Sequence, residues 1–319
     1  MKVVKWDGKP ITKPGLYSGV PMEAYHSQKI CDGPSVSSGG LRRIFNESPA
    51  HFYSSWDGNP ARVEPPDSAA LILGRAVHHL MLGQPFFAQH FMIRPEEMPD
   101  PKTGEMKPWH GNRGVCREWL EKAQRSRRAV LTGEMVENIK GMASSVGRHP
   151  LVRAGMLNGK IECSLFWKDR ETGVWLKGRP DAIPTDSGDF GDLKSARSVH
   201  FVDLMRTVTE RAFHQQAAHI RDGCMQVLKL RMSSFSFVFV ESKPPYCCRV
   251  VQLENPDIDL GARQNRAAVI MFASCLKSRS WPGPGGLEED AVKVGIFDSY
   301  RDRAERRLGD IGAELNTAA

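Results

Sequence analysis

The spacing of apolar and polar positions divides the chain into alternating helical and strand-like segments. Apolar residues recur every three or four positions, as on one face of an amphipathic helix, in 68–83, 115–126, 134–147 and 202–230. Apolar residues alternate or run together, as in strands, in 161–169, 174–183, 189–196 and 235–241. The order helix, three strands, helix, strand predicts an α/β (α+β) sandwich around one mixed central sheet flanked by helices.

The segments outside this core differ in composition. Residues 1–67 are rich in Gly, Pro and Ser and contain one short helical candidate, so we predict an N-terminal arm packed on the core. The main domain is predicted to span 68–298, and the charged residues 299–319 to form a C-terminal helical tail. The proline-rich stretch 94–113 is predicted to be a loop and a mobile flap.

Charge and cysteine content narrow the functional classes. The 319 residues carry a formal net charge of +7, which favours an anionic partner, most commonly nucleic acid. The sequence contains no apolar run of membrane-spanning length and no apolar N-terminal leader, so we predict a cytoplasmic protein with no membrane partner. Its seven cysteines show no C-x-x-C spacing, which predicts reduced thiols and neither a structural zinc nor an iron–sulfur cluster.

The stretch GRPDAIPTDSGDFGDLKSAR, residues 178–197, holds the most informative chemistry. If it forms a hairpin with its turn between Asp186 and Ser187, Asp181 and Asp192 become cross-strand neighbours. Strand alternation places Lys194 on the same face as Asp192. Paired carboxylates attract a hard cation such as Mg²⁺ or Mn²⁺. The alternative is a surface hairpin with an ordinary Lys/Asp ion pair.

Three further polar residues are candidates, each with an ordinary structural explanation beside the functional one. His78 lies on the helix 68–83 one turn after Gly74, whose presence suggests a close approach there, although helical histidines are more often packed or solvated. Glu162 opens the first strand and could face a metal or cap a sheet edge. Gln216 could be an ordinary polar residue of the helix 202–230.

Together these motifs resemble the PD-(D/E)xK nuclease superfamily, whose restriction-endonuclease-like core has the order αβββαβ, here with an N-terminal extension. More narrowly, they resemble the RecB-type nucleases and most of all the exonuclease VIII (RecE) group of phage and prophage recombination exonucleases. The resemblance rests on GRAVHHLMLG (74–83), IECSLFW (161–167), GRPDAI (178–183), DLKSA (192–196) and FHQQAAHI (213–220). The sequence departs from the family where Ile220 stands in place of a common tyrosine.

The resemblance implies a set of metal ligands. Asp181 is expected to bridge the metals or bind the principal one, and Asp192 and the backbone carbonyl of Leu193 to bind that metal. His78 is expected to bind a second or alternative metal, and Glu162 is an additional candidate. The implied cofactor is Mg²⁺, with Mn²⁺ able to substitute.

The resemblance also implies roles for residues that hold no metal. Lys194 is expected to position the attacking water, and Gln216 to contact metal-bound water or the DNA backbone. Arg42 and Arg75 are candidates for DNA contacts, with Arg75 the candidate anchor for a 5′ phosphate.

The implied activity is Mg²⁺-dependent 5′-to-3′ exonuclease action on ends of double-stranded DNA, which leaves 3′ single-stranded tails for recombination. The implied partner is a single-strand annealing protein. The implied assembly is a homo-oligomeric ring, a trimer or tetramer, encoded by a phage or prophage and acting in a bacterial host cell. Two alternatives remain: a structure-selective or site-specific endonuclease with the same chemistry, and a non-catalytic DNA-binding module.

Overall fold

The computed structural model describes residues 2–63, 67–84, 87–185, 187–285 and 291–317. Its α-helices are α1 (Met22–His26), α2 (Ser38–Asn46), α3 (Pro49–Ser55), α4 (Ala69–Met81), α5 (Phe87–His90), α6 (Gly114–Arg125), α7 (Gly133–Arg148), α8 (Pro150–Arg153), α9 (Phe201–Glu210), α10 (Phe213–Leu228), α11 (Asn255–Ser278) and α12 (Asp298–Thr317). Its strands are β1 (Val3–Lys5), β2 (Gly15–Ser18), β3 (Ser35–Ser37), β4 (Phe91–Ile93), β5 (Glu97–Pro99), β6 (Met106–Pro108), β7 (Ala129–Leu131), β8 (Lys160–Ile161), β9 (Ser164–Lys168), β10 (Trp175–Gly178), β11 (Ala182–Ile183), β12 (Asp189–Ala196), β13 (Ser234–Glu241) and β14 (Cys248–Gln252).

The strands form several small mixed sheets. The largest has the order β1-β2-β9-β10-β3, in which β9 and β10 pair antiparallel and β3 lies parallel to β10. A second has the order β12-β13-β14, with β12 and β13 parallel. Strands β8 and β11 form a short antiparallel pair of their own. The predicted α+β class is confirmed, but the ladder that we predicted as one continuous sheet is divided.

Alternation along β12 and β13 builds a core on each face of their sheet. Phe237 and Phe239 pack on one side with α2, α10 and α11. Leu193, Val238 and Val240 pack on the other side with α4 and α7. Because neighbouring strand residues point to opposite faces, Asp192 and Lys194 lie on the Phe237 side while Leu193 anchors the strand from behind.

The predicted helix 202–230 is two helices, α9 and α10. Ala212, between them, has a φ of 48°, a left-handed conformation that ends one helix and redirects the chain into the next. Helix α10 then packs tightly on α11, where a Cβ at Gly261 would lie 2.6 Å from the carbonyl oxygen of His214. The break matters for function because it sets the direction from which α10 reaches β12.

One local prediction close to α4 was also wrong. Helix α4 itself is capped by Ser68, since the Ser68 hydroxyl accepts a hydrogen bond from the Leu71 N–H at 3.2 Å. The stretch 94–113, predicted as a plain loop, contains the hairpin β5–β6. The Arg113 guanidinium donates to the carbonyl of Lys107 at 3.1 Å and to that of Met98 at 3.2 Å, which ties this hairpin to α6.

The first residues of the chain contribute strands to the largest sheet, since β2 pairs with β9 and β3 with β10. Residues up to Pro284 form one compact unit, and α12 lies in a second unit. The predicted division into an arm, a main domain and a tail stays a prediction. Among the described residues, no helix has the length and apolar character needed to cross a bilayer.

Candidate active site

Asp192 and Lys194 lie on one face of β12, as strand alternation predicts. Asp192 is only 2% exposed, and its Oδ2 forms an ion pair with the Lys194 ammonium. The ammonium lies 5.6 Å from the centre of the Phe213 ring and 5.8 Å from that of Phe237. These rings give the cation a favourable aromatic surface and hold its stem beside Asp192.

Asp181 reaches the same place by a different route from the one we predicted. It precedes β11, which pairs with β8, while β12 pairs with β13, so Asp181 and Asp192 are not cross-strand partners in a hairpin. Instead, the Asp181 Oδ2 accepts a hydrogen bond from the Leu193 N–H at 2.7 Å, at the free edge of β12. The predicted turn lies partly outside the described residues, because Asp186 is not among them. The carboxylates converge nonetheless.

His78 comes from α4 on the opposite side of β12. Its Nδ1 lies 3.5 Å from the Asp181 Oδ2, and its side chain is 24% exposed. The glycine one turn earlier does not explain this approach: a Cβ on Gly74 would lie 3.5 Å from the Ser195 hydroxyl, an ordinary contact. We therefore find no crowding within the described chain that requires Gly74.

The two adjacent glutamines of α10 have different surroundings. Gln216 donates from Nε2 to the Asp192 Oδ1 at 2.8 Å, so it fixes the carboxylate that Lys194 contacts on its other oxygen. Gln215 is fully buried and hydrogen-bonds to Asn46 at 2.7 Å and Asn265 at 3.3 Å. This second network ties α2, α10 and α11 together behind the site.

Glu162 sits at the rim, held by an arginine that the sequence analysis did not single out. Glu162 has a φ of 52°, and its N–H donates to the Asp181 carbonyl at 3.3 Å. The Arg179 Nη1 lies 3.7 Å from the Glu162 Oε2, and its Nε donates to the Ser164 hydroxyl at 2.8 Å. Tyr25 closes this group, with its ring 4.6 Å from the guanidinium. The signal was present in the sequence, since Arg179 lies in the same GRPD stretch as Asp181.

The two candidate DNA-contacting arginines and Ile220 lie in three different environments. Arg42, on α2, donates to the Arg211 carbonyl at 2.7 Å and lies 5.8 Å from the centre of the Phe213 ring that also contacts Lys194. Arg75 is exposed on α4 and forms an ion pair with Asp67. Ile220 is buried in the core, so that position supplies packing and no hydroxyl.

The two carboxylates differ in their affinity for protons. Burial raises the pKa of Asp192, the nearby Asp181 carboxylate raises it further, and the opposing effects of Lys194 and His78 leave it at about 6. Burial also raises the pKa of Asp181, but His78, Lys194 and the Leu193 N–H outweigh burial and hold it below its ordinary value. Burial lowers the pKa of His78, yet the Asp181 carboxylate outweighs this effect and raises it overall.

The elevated pKa of Asp192 has a consequence for stability that can be measured on metal-free protein. The folded state binds this proton more tightly than the unfolded chain, so the contribution of Asp192 to wild-type stability is expected to fall as pH rises from about 3.8 to about 6. Asp192→Asn lacks the titration. The free energy of unfolding of the variant, minus that of wild type, is therefore expected to be larger at pH 7 than at pH 4. Chemical denaturation at both pH values measures it, and an equal difference would contradict this electrostatic picture.

The residues fit a divalent cation by their chemistry. The described chain holds no group of three or more acidic, histidine or cysteine side chains already arranged around a metal position. However, two buried carboxylates meet there beside an imidazole, and the charge of Asp181 opposes ionisation of Asp192. A cation between them would relieve that repulsion, and oxygen ligands with one imidazole suit Mg²⁺ or Mn²⁺.

The two neighbouring histidines of α4 allow a direct test of this placement. His78 faces Asp181, whereas His79 is buried against Phe87 and Phe91, with ring centres 5.5 and 5.8 Å away. We expect His78→Ala to lower activity by about 100-fold with little change in melting temperature. His79→Ala is expected to lower the melting temperature while activity at a permissive temperature stays near wild type. If His79→Ala lost more activity than His78→Ala in matched assays, the assignment of His78 as the histidine that faces the acids would be wrong.

The family of the chain follows from this arrangement and from a sequence comparison. A family model described as "PDDEXK-like domain of unknown function (DUF3799)" matches residues 37–290. The chain belongs to this family. The predicted resemblance to PD-(D/E)xK proteins, made from five segments between residues 74 and 220, is confirmed. No curated protein matches the sequence.

A solved structure supports the fold of this PDDEXK-like chain. It is similar to a provisionally assigned exonuclease from Eubacterium rectale, with a TM-score of 0.56 and 11% identity over 87% of this chain and 96% of that one. At that identity, the likeness shows a shared fold alone. A phage-related exonuclease from Haemophilus somnus 129PT matches at 12% identity over 64% of this chain and 95% of that one, with a TM-score of 0.29 that is too low to carry a conclusion.

Proposed function

We propose that the protein is a divalent-metal-dependent exonuclease that degrades the 5′-ended strand of double-stranded DNA and leaves a 3′ single-stranded tail. One observation carries the nuclease assignment: Asp181, Asp192 and Lys194 meet at the free edge of β12 within a PDDEXK-like domain. These acids and this amine are the groups from which the family takes its name. The Eubacterium rectale structure, which shares this fold and is described as an exonuclease, supports the choice of exonuclease activity.

The proposed ligands of the cation are Asp181, Asp192, the Leu193 carbonyl and His78, with Glu162 at the rim. A bound Mg²⁺ or Mn²⁺ would polarise the scissile phosphate and lower the pKa of the attacking water. Glu162 is already oriented by Arg179, because the guanidinium is itself fixed by the hydroxyl of Ser164.

The remaining side chains prepare the site for an anionic transition state. Lys194 brings a positive charge to a pocket that excludes much of the solvent, so it can offset negative charge that develops on the phosphate. Gln216 keeps Asp192 in one orientation through its hydrogen bond. Arg42 and Arg75 are proposed contacts to the phosphate backbone, where a fixed positive charge aids binding without reading sequence.

The biological setting is also a proposal. A single-strand annealing protein would receive the 3′-tailed product, and a homo-oligomeric ring, a trimer or tetramer, would enclose the DNA and favour processive entry from an end. The protein would act in the cytoplasm of a bacterial host cell and be encoded by a phage or prophage. The net charge of +7 agrees with an anionic substrate.

Linear duplex labelled separately at each end tests the polarity of this reaction. With Mg²⁺ we expect rapid release of 5′ label as short products, slow release of 3′ label and no cleavage of covalently closed circular DNA. Removing the metal with a chelator is expected to stop the release of label. Release of 3′ label first would refute the polarity, and rapid nicking of the circle would favour the endonuclease alternative while leaving the metal chemistry intact.

A further inference from the structure

The N-terminal segment that contains β2 and α1, residues 15–26, contacts the rim of the candidate active site. It lies outside the family match, which covers residues 37–290. Strand β2 pairs antiparallel with β9, so that Tyr17 lies opposite Ser164. Glu162 precedes the first residue of β9 by two positions. The segment therefore runs beside a candidate metal ligand, and the matched core alone does not explain its place there.

Arg179 connects this N-terminal segment with Glu162. Its Nη2 donates a hydrogen bond to the Val20 carbonyl at 2.7 Å, and the Tyr25 ring centre lies 4.6 Å from the guanidinium. Within the matched core, its Nε donates to the Ser164 hydroxyl at 2.8 Å, and its Nη1 lies 3.7 Å from the Glu162 Oε2. Two separate parts of the chain thus hold the same guanidinium.

The burial of Arg179 argues against a direct contact with DNA. Its side chain is 9% exposed, whereas that of Glu162 is 27% exposed. Its Nε, Nη1 and Nη2 each meet a protein group already, so a phosphate would have to displace these partners. A buried cation beside a carboxylate fixes the direction of that carboxylate. Arg179 therefore acts on the site through Glu162.

Glu162 requires such support because of its backbone and its neighbours. Its φ of 52° lies in the left-handed region, which residues other than glycine adopt where the surrounding structure holds them. Its carboxylate lies close enough to Asp181 and Asp192 to interact with both charges. Repulsion from these two carboxylates favours a Glu162 side chain turned away from them unless a cation opposes it. Arg179 supplies that cation in the metal-free protein.

We propose that Arg179 is a positioning residue, which the N-terminal segment holds in place and which keeps the Glu162 carboxylate beside the cation site of Asp181 and Asp192. This inference rests on the proposed function only in assuming that a divalent cation binds there. It follows that residues outside the family match determine how tightly the site holds its metal. The ring of Tyr25 is the side chain through which they do so.

Calorimetric titration of Mn²⁺ into metal-free protein tests this role without any hydrolysis. Arg179→Met is expected to weaken binding about tenfold or more, as is typical when a group that orients a metal ligand is lost. Glu162→Gln is expected to weaken binding as well. In the Glu162→Gln background, Arg179→Met should cause no further loss, because its effect passes through Glu162. Additive losses, unchanged binding by Arg179→Met, or no binding by wild type would overturn the proposal.

Two substitutions of Tyr25 test the contribution of the N-terminal segment, and they keep the test decisive if Arg179→Met does not fold. Tyr25→Leu removes the aromatic face beside the guanidinium and is expected to weaken Mn²⁺ binding about threefold or more. Tyr25→Phe keeps that face and serves as the matched control, which should bind as wild type. The loss in Tyr25→Leu should vanish in the Glu162→Gln background. Equal affinity of the two Tyr25 variants would show that the segment has no part in positioning Glu162.

Hydrolysis of end-labelled duplex by the same proteins separates failure of this inference from failure of the nuclease proposal. If wild type binds Mn²⁺ with the expected dependence on Arg179 but hydrolyses no DNA, the nuclease proposal fails and the positioning role stands. If wild type hydrolyses DNA while Arg179→Met and Tyr25→Leu bind Mn²⁺ as wild type does, the positioning role fails and the nuclease assignment stands.

Discussion

Replacing Asp192 with alanine is expected to abolish hydrolysis, with a loss of at least ~10³-fold in rate, while DNA binding at low salt stays close to wild type. The change removes the carboxylate that Lys194 and Gln216 hold in place. It removes none of the basic surface that neutralises phosphates, and that surface determines affinity at low salt. Initial rates on end-labelled duplex with Mg²⁺, together with equilibrium binding in chelator, measure both effects.

Asp189→Ala is the matched control for this experiment. Asp189 opens the same strand, but its side chain is exposed and hydrogen-bonds to the Ser234 hydroxyl at 2.7 Å, away from Asp181 and Lys194. The control is expected to keep activity within a few-fold of wild type. Hydrolysis by Asp192→Ala at a near-wild-type rate would show that catalysis lies elsewhere in the molecule.

Replacing Lys194 with methionine is expected to lower the rate by about 10²- to 10³-fold, comparable to the removal of one group that stabilises transition-state charge. Methionine preserves most of the apolar stem that lies against Phe213 and Phe237, so the loss reflects the missing ammonium rather than packing. Arginine at this position should not restore the rate fully, because its planar guanidinium is larger and less strongly hydrated than an ammonium.

The pH dependence of this variant separates two roles of Lys194. The ammonium lowers the pKa of Asp192, so its removal leaves a carboxylate that ionises at a higher pH. If Lys194 acted only by keeping Asp192 ionised, Lys194→Met would regain most of its activity by pH 9. We expect a large deficit to remain there, because the ammonium also offsets charge on the phosphate. Full recovery at high pH would limit Lys194 to the first role, and the exposed Lys277→Met serves as the control.

Local patterns predicted correctly where several candidate side chains lie. Period-two alternation placed Asp192 and Lys194 together and Leu193 behind them, and the structure shows this arrangement. Side chains of adjacent helical residues diverge, so only one of the two neighbouring histidines of α4 can face the acids, and His78, the candidate named from the sequence, is the one that lies near Asp181. These relations concern neighbours within a single helix or strand, where geometry depends on periodicity alone.

Strand pairing could not be predicted in this way. We predicted a hairpin within 178–197 from local sequence alone. Instead, β12 pairs in parallel with β13, a strand that follows two intervening helices in the chain. Apolar burial favours this choice, because the alternating faces of β12 and β13 complete two cores at once. The choice between these two pairings of β12 depends on residues far apart in the chain, so the sequence around Asp181 alone cannot predict it.

The sequence by itself determined which residues are the candidates for the chemistry and which of them share a strand or helix face. Only the tertiary structure decided how the acids meet: a backbone N–H of Leu193 holds Asp181 beside β12, and Gln216 arrives because the left-handed turn at Ala212 redirects α10. It also brought Arg179 to Glu162 and to Tyr25 of the N-terminal segment. Periodicity fixes directions within an element, whereas contacts between elements depend on burial and hydrogen bonding summed over the entire fold.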